Sequence, residues 1–185
     1  MNLDRNYVMN QCQKNNDINE YLMSIYNIPV QLNAQTIVEL GAGESTFALT
    51  AAANKTGGQF YSIDIGRGAV ERFTPDGISI LANEPRYYFI EGDTRVLGKT
   101  WDKMADFIFH DTSHVYDQTK IELDLWPKFV RKGGVYMMHD TGHEAGDGMG
   151  CRQALNEWYD LHKKEWAIVH LMDTKVLGAS VLIKL

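Results

Sequence analysis

The residues able to do chemistry gather at five points of the chain. The first is Gly41-Ala42-Gly43, set directly after the apolar run Thr36-Ile37-Val38-Glu39-Leu40. Glycines let the backbone bend sharply and let a ligand approach with no Cβ in its way. A helix-forming run, 47–53, follows, so free N–H groups and a positive dipole end face whatever sits at the turn. Ser45 and Thr46 stand where hydroxyls cap such N–H groups. The second point is Asp64, 21 residues after Gly43. A carboxylate at the tip of a second strand can accept both hydroxyls of a ribose. The third is Asp93, which follows Glu91-Gly92 and suits the polar edge of a base. The last two are His110-Asp111-Thr112-Ser113-His114 and His139-Asp140, and four of the six histidines lie between 110 and 143. Imidazoles beside carboxylates can move protons near neutral pH or hold a divalent cation.

These residues need elements to carry them. A strand over 36–40 opens the pattern, and a second over 59–63 ends in Asp64. The stretch 66–85, with three glycines and two prolines, is too broken for one long helix and reads as a surface crossover. Strands follow over 86–90 and 104–109, the latter running into His110. The spacing predicts a helix over 115–131 with Ile121, Leu125 and Phe129 on its inner face. Lys120, Glu122, Asp124 and Lys128 fall largely elsewhere, and Lys132-Gly133-Gly134 reads as the helix stop. A fifth strand over 135–138 ends in His139-Asp140, and a loop with four glycines spans 142–150. A helix over 152–163 precedes two strands, 165–172 and 176–184, paired as a hairpin at the sheet edge. Upstream, 18–28 is an amphipathic helix ended by Pro29, packed on the domain edge or closing over the site as a lid.

Strands alternating with helices up to a final hairpin define an α/β fold. It is a Rossmann-like, open, mostly parallel sheet of seven strands with helices on both faces. In such sheets ligands bind outside the carboxyl ends of the strands, where every polar cluster named above falls.

Bulk properties narrow the class. The 185 residues suit a single domain, 1–185, with 1–35 as a helical extension or lid. An apolar content of 44% and charged content of 23% are those of an ordinary globule. A net charge of −6 argues against a duplex nucleic-acid binder. No run matches a membrane span, and the N-terminus has no apolar core of a secretory signal. Two distant cysteines without a C-x-x-C read as reduced thiols of a cytoplasmic protein. His162 and His170 read as structural, as do Trp126, Trp158 and Trp166.

VELGAGEST, the acid in SIDI, EGD and the late strand pair resemble a class I S-adenosylmethionine-dependent methyltransferase. DFIFHDTSHVYDQTKIELDLWPKFVRKGGVYMMHD is similar to the small-molecule O-methyltransferase group with macrocin-type and cephalosporin-hydroxylase-like members. That group's pattern is close to IDGxHxYExVxxDLxLWxxxLxxGGxxxxHD, and the resemblance covers roughly 35–185. It implies methyl transfer to a hydroxyl of a small molecule such as a sugar or antibiotic-like natural product. Glu39, Gly41 and Gly43 would then line the methionine and ribose, with Asp64 on the ribose hydroxyls and Asp93 near the adenine. Ala42, Ser45, Thr46, Ile65, Gly92, Thr94 and Asp111 complete the implied cofactor set. Asp111, His139 and Asp140 would hold Mg²⁺, which favours oxygen ligands and keeps several waters. His114 and His143 are the candidate bases, with Asp111 at the reacting centre. This chain departs from the pattern at Thr112, where the group has Gly, and at His139, where related proteins often have an acid. The acceptor pocket must come from 1–35, 65–85 and 141–150, or from a second subunit of a homo-oligomer.

Three alternatives stand beside this reading. One is a binder of the same cofactor that transfers no methyl group, or an enzyme using the cofactor differently. The second is NAD, against which Gly41-Ala42-Gly43-Glu44-Ser45-Thr46 lacks the third glycine of G-x-G-x-x-G. The third is Zn²⁺ or Fe²⁺ in place of Mg²⁺, since His/Asp clusters suit all three.

Overall fold

Seven strands form one sheet in the order β3-β2-β1-β4-β5-β7-β6. They are β1 (Thr36–Leu40), β2 (Gln59–Asp64), β3 (Tyr87–Glu91), β4 (Ala105–His110), β5 (Val130–His139), β6 (Trp166–Leu171) and β7 (Ala179–Lys184). The computed structural model describes residues 2–14, 17–73, 76–142, 150–171 and 178–185. The five strands β1–β5 are parallel, whereas β7 runs antiparallel between β5 and β6. The expected fold class is thus the observed one, edge hairpin included.

The central strands are apolar on both faces because helices cover both. Alternate residues sort into two cores. Ile37, Phe107, Phe109 and Met137 face α2 (Leu22–Gln31) and α3 (Ser45–Thr56). Val38, Leu40, Ile108, Tyr136 and Met138 face α7 (Tyr116–Leu125) and α8 (Cys151–His162). The run Ala51-Ala52-Ala53 lets α3 lie close on the sheet, and Gly57 ends it at φ +77°.

Several boundaries differ from those expected. α2 runs through Pro29 to Gln31, because Pro29 is buried and Leu32 N–H still bonds to the Ile28 carbonyl. A further helix, α1 (Arg5–Gln11), precedes it, with Asp4 Oδ1 accepting from Asn6 N (2.9 Å) and Tyr7 N (3.0 Å). The 66–85 crossover holds two short helices, α4 (Gly68–Phe73) and α5 (Gly77–Ala82). A further short helix, α6 (Thr94–Leu97), follows β3.

The largest correction concerns the helix expected over 115–131. It ends at Leu125, before a 3-10 turn at Pro127–Phe129, because Pro127 has no N–H to continue the helical ladder and its ring crowds the preceding turn. Lys132-Gly133-Gly134 therefore lies inside the ten-residue strand β5 and stops no helix. The inner face also differs. Thr119, Glu122 and Leu123 are buried and Ile121 is 41% exposed.

Candidate active site

The glycine turn is held where three strand ends meet. Gly41 has φ +89°, and a Cβ there would sit 1.9 Å from the Asp111 carbonyl oxygen. Only glycine allows that approach. Gly41 N donates to the Ile63 carbonyl and Asp111 N to the Leu40 carbonyl, both at 2.9 Å. The order of strands reverses between β1 and β4, the switch point at which open α/β sheets place their ligands.

Asp64 ties the end of β2 to this turn. Its Oδ2 accepts from Ala42 N at 2.8 Å and its Oδ1 from Gly66 N at 3.1 Å. Both ends of the carboxylate thus have a backbone donor, and the half-buried side chain still borders the cleft.

Glu39, Ser45 and Thr46 are placed differently from the ligand contacts expected of them. All three are buried behind the turn, outside the lining of the cleft. Glu39 accepts from Ser45 Oγ (2.6 Å), Thr46 Oγ1 (2.8 Å) and Ser62 Oγ (2.5 Å). Thr46 Oγ1 in turn accepts from Gly43 N at 2.9 Å, so these residues brace the turn from within. Burial pushes the Glu39 carboxyl up to about 8 against the pull of the three hydroxyls. Helix α3 begins without a side-chain cap, because both hydroxyls expected there are spent on Glu39.

At the β3 end, Gly92, Asp93 and Thr94 all border the cleft. Asp93 Oδ1 caps α6 by accepting from Arg95 N at 2.8 Å, and its carboxylate pairs with the Arg95 guanidinium at 2.6 Å.

The ends of β4 and β5 bring Asp111, His114, His139 and Asp140 together. His114 Nε2 lies 2.9 Å from Asp111 Oδ1 and 2.7 Å from Asp140 Oδ2. His139 Nδ1 lies 3.3 Å from Asp140 Oδ2 and 3.6 Å from Asp111 Oδ2. Two carboxylates thus alternate with two imidazoles. Burial opposes charge on both histidines, but hydrogen bonds and the carboxylate charges outweigh it and raise each to about 10. Burial likewise pushes Asp111 up, and the two imidazoles overcome it and hold the carboxyl below its usual range. His114 and Asp140 both adopt left-handed backbone, at φ +60° and +56°, uncommon for side-chain-bearing residues and frequent at sites of function.

Asp111, His139 and Asp140 each offer a ligand atom, and these atoms all lie within 4.8 Å of one another. Asp140 Oδ1 is buried without a hydrogen-bond partner, as is His139 Nε2. A buried carboxylate oxygen left unpaired is costly unless something positive meets it. Two carboxylates and an imidazole are also a donor set that divalent cations accept. The residues present therefore fit a cation.

The cleft joining these parts has a volume of about 570 Å³, in the usual range for small-molecule sites. Ile65 borders it beside Asp64. Five lining residues were not anticipated: Ile18, Glu44, Ile63, Arg95 and Gln118. Ile18 comes from the N-terminal segment, whose Tyr21 stacks edge-on against His139 at 5.4 Å. That segment is packed on the domain and also reaches the site. His143 and Asp147 lie outside the described residues.

This sheet order, with a glycine turn after β1 and an acid closing β2, is the architecture of class I S-adenosylmethionine-dependent methyltransferases. The chain belongs to the methyltransferase domain family, whose model matches residues 38–141. Solved structures agree on the fold. An O-methyltransferase from Bacillus cereus in complex with SAH superimposes with a TM-score of 0.69 at 14% identity, over 97% of this chain and 87% of that one. The SAH-bound methyltransferase PaMTH1 of Podospora anserina gives 0.67 at 14% identity, over 97% and 86%. The O-methyltransferase TomG of Streptomyces achromogenes, involved in tomaymycin synthesis and solved with SAM, gives 0.65 at 14%, over 89% and 79%.

Proposed function

We propose that this protein moves a methyl group from S-adenosylmethionine to a hydroxyl of a small molecule. The observation that carries the reading is the opening of two sites onto one cleft. A glycine turn braced by Asp64 and the Asp111–His114–His139–Asp140 cluster both line it. The first suits an adenosine-type donor and the second an acceptor hydroxyl. The O-methyltransferases among the structural relatives support the same assignment.

On this reading Asp64 holds the ribose hydroxyls, and the Gly41–Gly43 backbone lies along the methionine end. The protein's main work is orientation, since a methyl sulfonium is already electrophilic. Asp111, Asp140 and His139 would hold a divalent cation, Mg²⁺ by the hardness of its oxygen donors. Such an ion lowers the pKa of a bound hydroxyl. His114 borders the cleft, and in the arrangement described it is the counter-ion of both carboxylates. Ile18 of the N-terminal segment lines the same cleft, which supports a part for that segment in the acceptor pocket.

We read 1–185 as one domain acting in the cytoplasm on a small-molecule acceptor, without nucleic-acid or membrane partners. Among the described residues no helix is long and apolar enough to cross a membrane. A second copy could add to the acceptor pocket as a homo-oligomer.

Calorimetry with S-adenosylmethionine, S-adenosylhomocysteine and NAD tests the donor. Binding of the sulfur compounds but not NAD is expected, with Asp64→Ala weakening it by roughly tenfold or more. Absence of binding by both sulfur compounds would sink the proposal. Binding without methyl transfer to any hydroxylated acceptor would leave the non-transferring binder as the better reading.

A further inference from the structure

Gln118 was not among the residues expected at the site, yet it stands on α7 facing the cleft with its amide already oriented. Its Nε2 donates to Glu122 Oε1 at 3.0 Å. Glu122 is fully buried and its carboxylate is crowded. It accepts from Thr94 Oγ1 and from Thr112 Oγ1 (2.7 Å), and it faces His110 Nε2 at 2.8 Å. His110 is fixed in turn by the Tyr136 hydroxyl, 2.8 Å from its Nδ1. Four partners fill the roughly four acceptor positions of a carboxylate. A carboxylate only accepts, so the amide must turn its N–H₂ toward Glu122. The end that Gln118 offers the cleft is its carbonyl oxygen.

The network also joins the elements that end at this part of the cleft. Thr94 follows Gly92-Asp93 at the end of β3, and Thr112 follows Asp111 at the end of β4. Glu122 therefore ties the start of α6 to the loop after β4, and Gln118 is bonded to the same carboxylate. With the ribose at Asp64 and the reactive end toward Asp111 and Asp140, the remaining wall falls to the base. Asp93 is another carboxylate of the cleft, but Arg95 occupies it. Its Oδ1 takes Arg95 N (2.8 Å) and Nε (2.9 Å), and its Oδ2 takes Nη2 (2.6 Å) and Nε (3.2 Å).

We infer that Gln118 Oε1 is the acceptor that recognises the exocyclic amine of the donor's purine, with Glu122 as the positioning residue that sets its amide. The inference rests on the donor proposed above. It makes the site selective for a 6-amino purine, because a 6-oxo purine would set carbonyl against carbonyl.

The test compares S-adenosylhomocysteine with S-inosylhomocysteine, in which an oxo group replaces the 6-amine, by calorimetry on the full chain. The native protein should bind the adenosyl compound roughly ten- to a hundredfold more tightly. Gln118→Met, of similar length but without an acceptor oxygen, should bring the ratio close to one. Gln118 is only half-buried, and a thermal melt confirms that the variant folds. A native ratio near one, or a ratio kept in Gln118→Met, overturns the assignment. So does a ratio that collapses in Asp93→Asn instead, which would move the role to Asp93. Failure of the native protein to bind S-adenosylhomocysteine at all overturns the donor reading itself, and is thereby distinguishable.

Discussion

At the residue scale, Gly41 carries the sharpest constraint in the molecule. Two independent features demand glycine: φ +89° and an Asp111 carbonyl oxygen 1.9 Å from where a Cβ would stand. Gly41→Ala must push the ends of β1 and β4 apart, and the left-handed backbone adds about 1 kcal/mol on its own. We expect a lowered thermal midpoint together with loss of S-adenosylhomocysteine binding. A variant that binds as the native protein does would show that the turn is no cradle. This glycine was legible in the sequence, and so was Asp64, because strand-turn-helix and the spacing to the next acid leave little freedom. Ser45 and Thr46 were legible only as hydroxyls at a helix start. That they turn inward depends on Glu39 being buried beneath them, and a glutamate within an apolar run does not declare its partners.

At the element scale, α7 shows what periodicity misses. Ile121, Leu125 and Phe129 keep a helical spacing, and an apolar count alone turns that face inward. The real inner face includes Glu122, because His110 of β4, Thr94 of α6 and Thr112 of the loop after β4 supply it with partners. Trp126 then packs in the core, its Nε1 donating to the Thr94 carbonyl at 3.1 Å, and Pro127 ends the helix. Pairing has a measurable consequence. Burial raises the Glu122 carboxyl, but His110 and the two hydroxyls outweigh this and hold it at about 2, against an ordinary 4.5. A depressed carboxyl contributes stability above pH 4.5 that is lost as pH falls toward 2. At about 1.4 kcal/mol per unit, the contribution is on the order of 3 kcal/mol. Urea unfolding between pH 2 and 5 should therefore steepen with Glu122 present and flatten in Glu122→Gln. Glu39 acts oppositely. Burial raises it to about 8, so its contribution is full below 4.5 and lost as pH rises to about 8. Glu39→Gln should remove that decline, and an unchanged slope from pH 5 to 8 would mean that Glu39 does not titrate as its burial implies.

At the scale of the whole molecule, the sheet's topology does what no single stretch of sequence can. Residues 41, 64, 93, 111 and 140 stand far apart along the chain, and the reversal of strand order brings them to one rim. The alternation of strands and helices made that rim legible in advance. What it could not convey was the ring in which His114 bridges Asp111 and Asp140, since that contact depends on left-handed backbone at both His114 and Asp140. The ring bears directly on the metal. Its two carboxylates are charge-balanced by two imidazoles, so a divalent cation must compete with His114 and His139 for their charge. Binding should therefore be modest in strength and should stabilise the fold only when the cation is supplied in excess. Melting the native chain with and without millimolar Mg²⁺ or Mn²⁺ reads this directly. We expect an upward shift in the native chain and none in Asp140→Asn, which removes one ligand charge; Asp111→Asn should behave alike. His114→Ala separates the roles. If His114 only stands in for the cation, its removal tightens cation binding and enlarges the shift. If neither cation moves the melting temperature of the native chain or of His114→Ala, and methyl transfer persists in excess chelator, the carboxylates serve to hold histidines in place and the reaction runs without a metal.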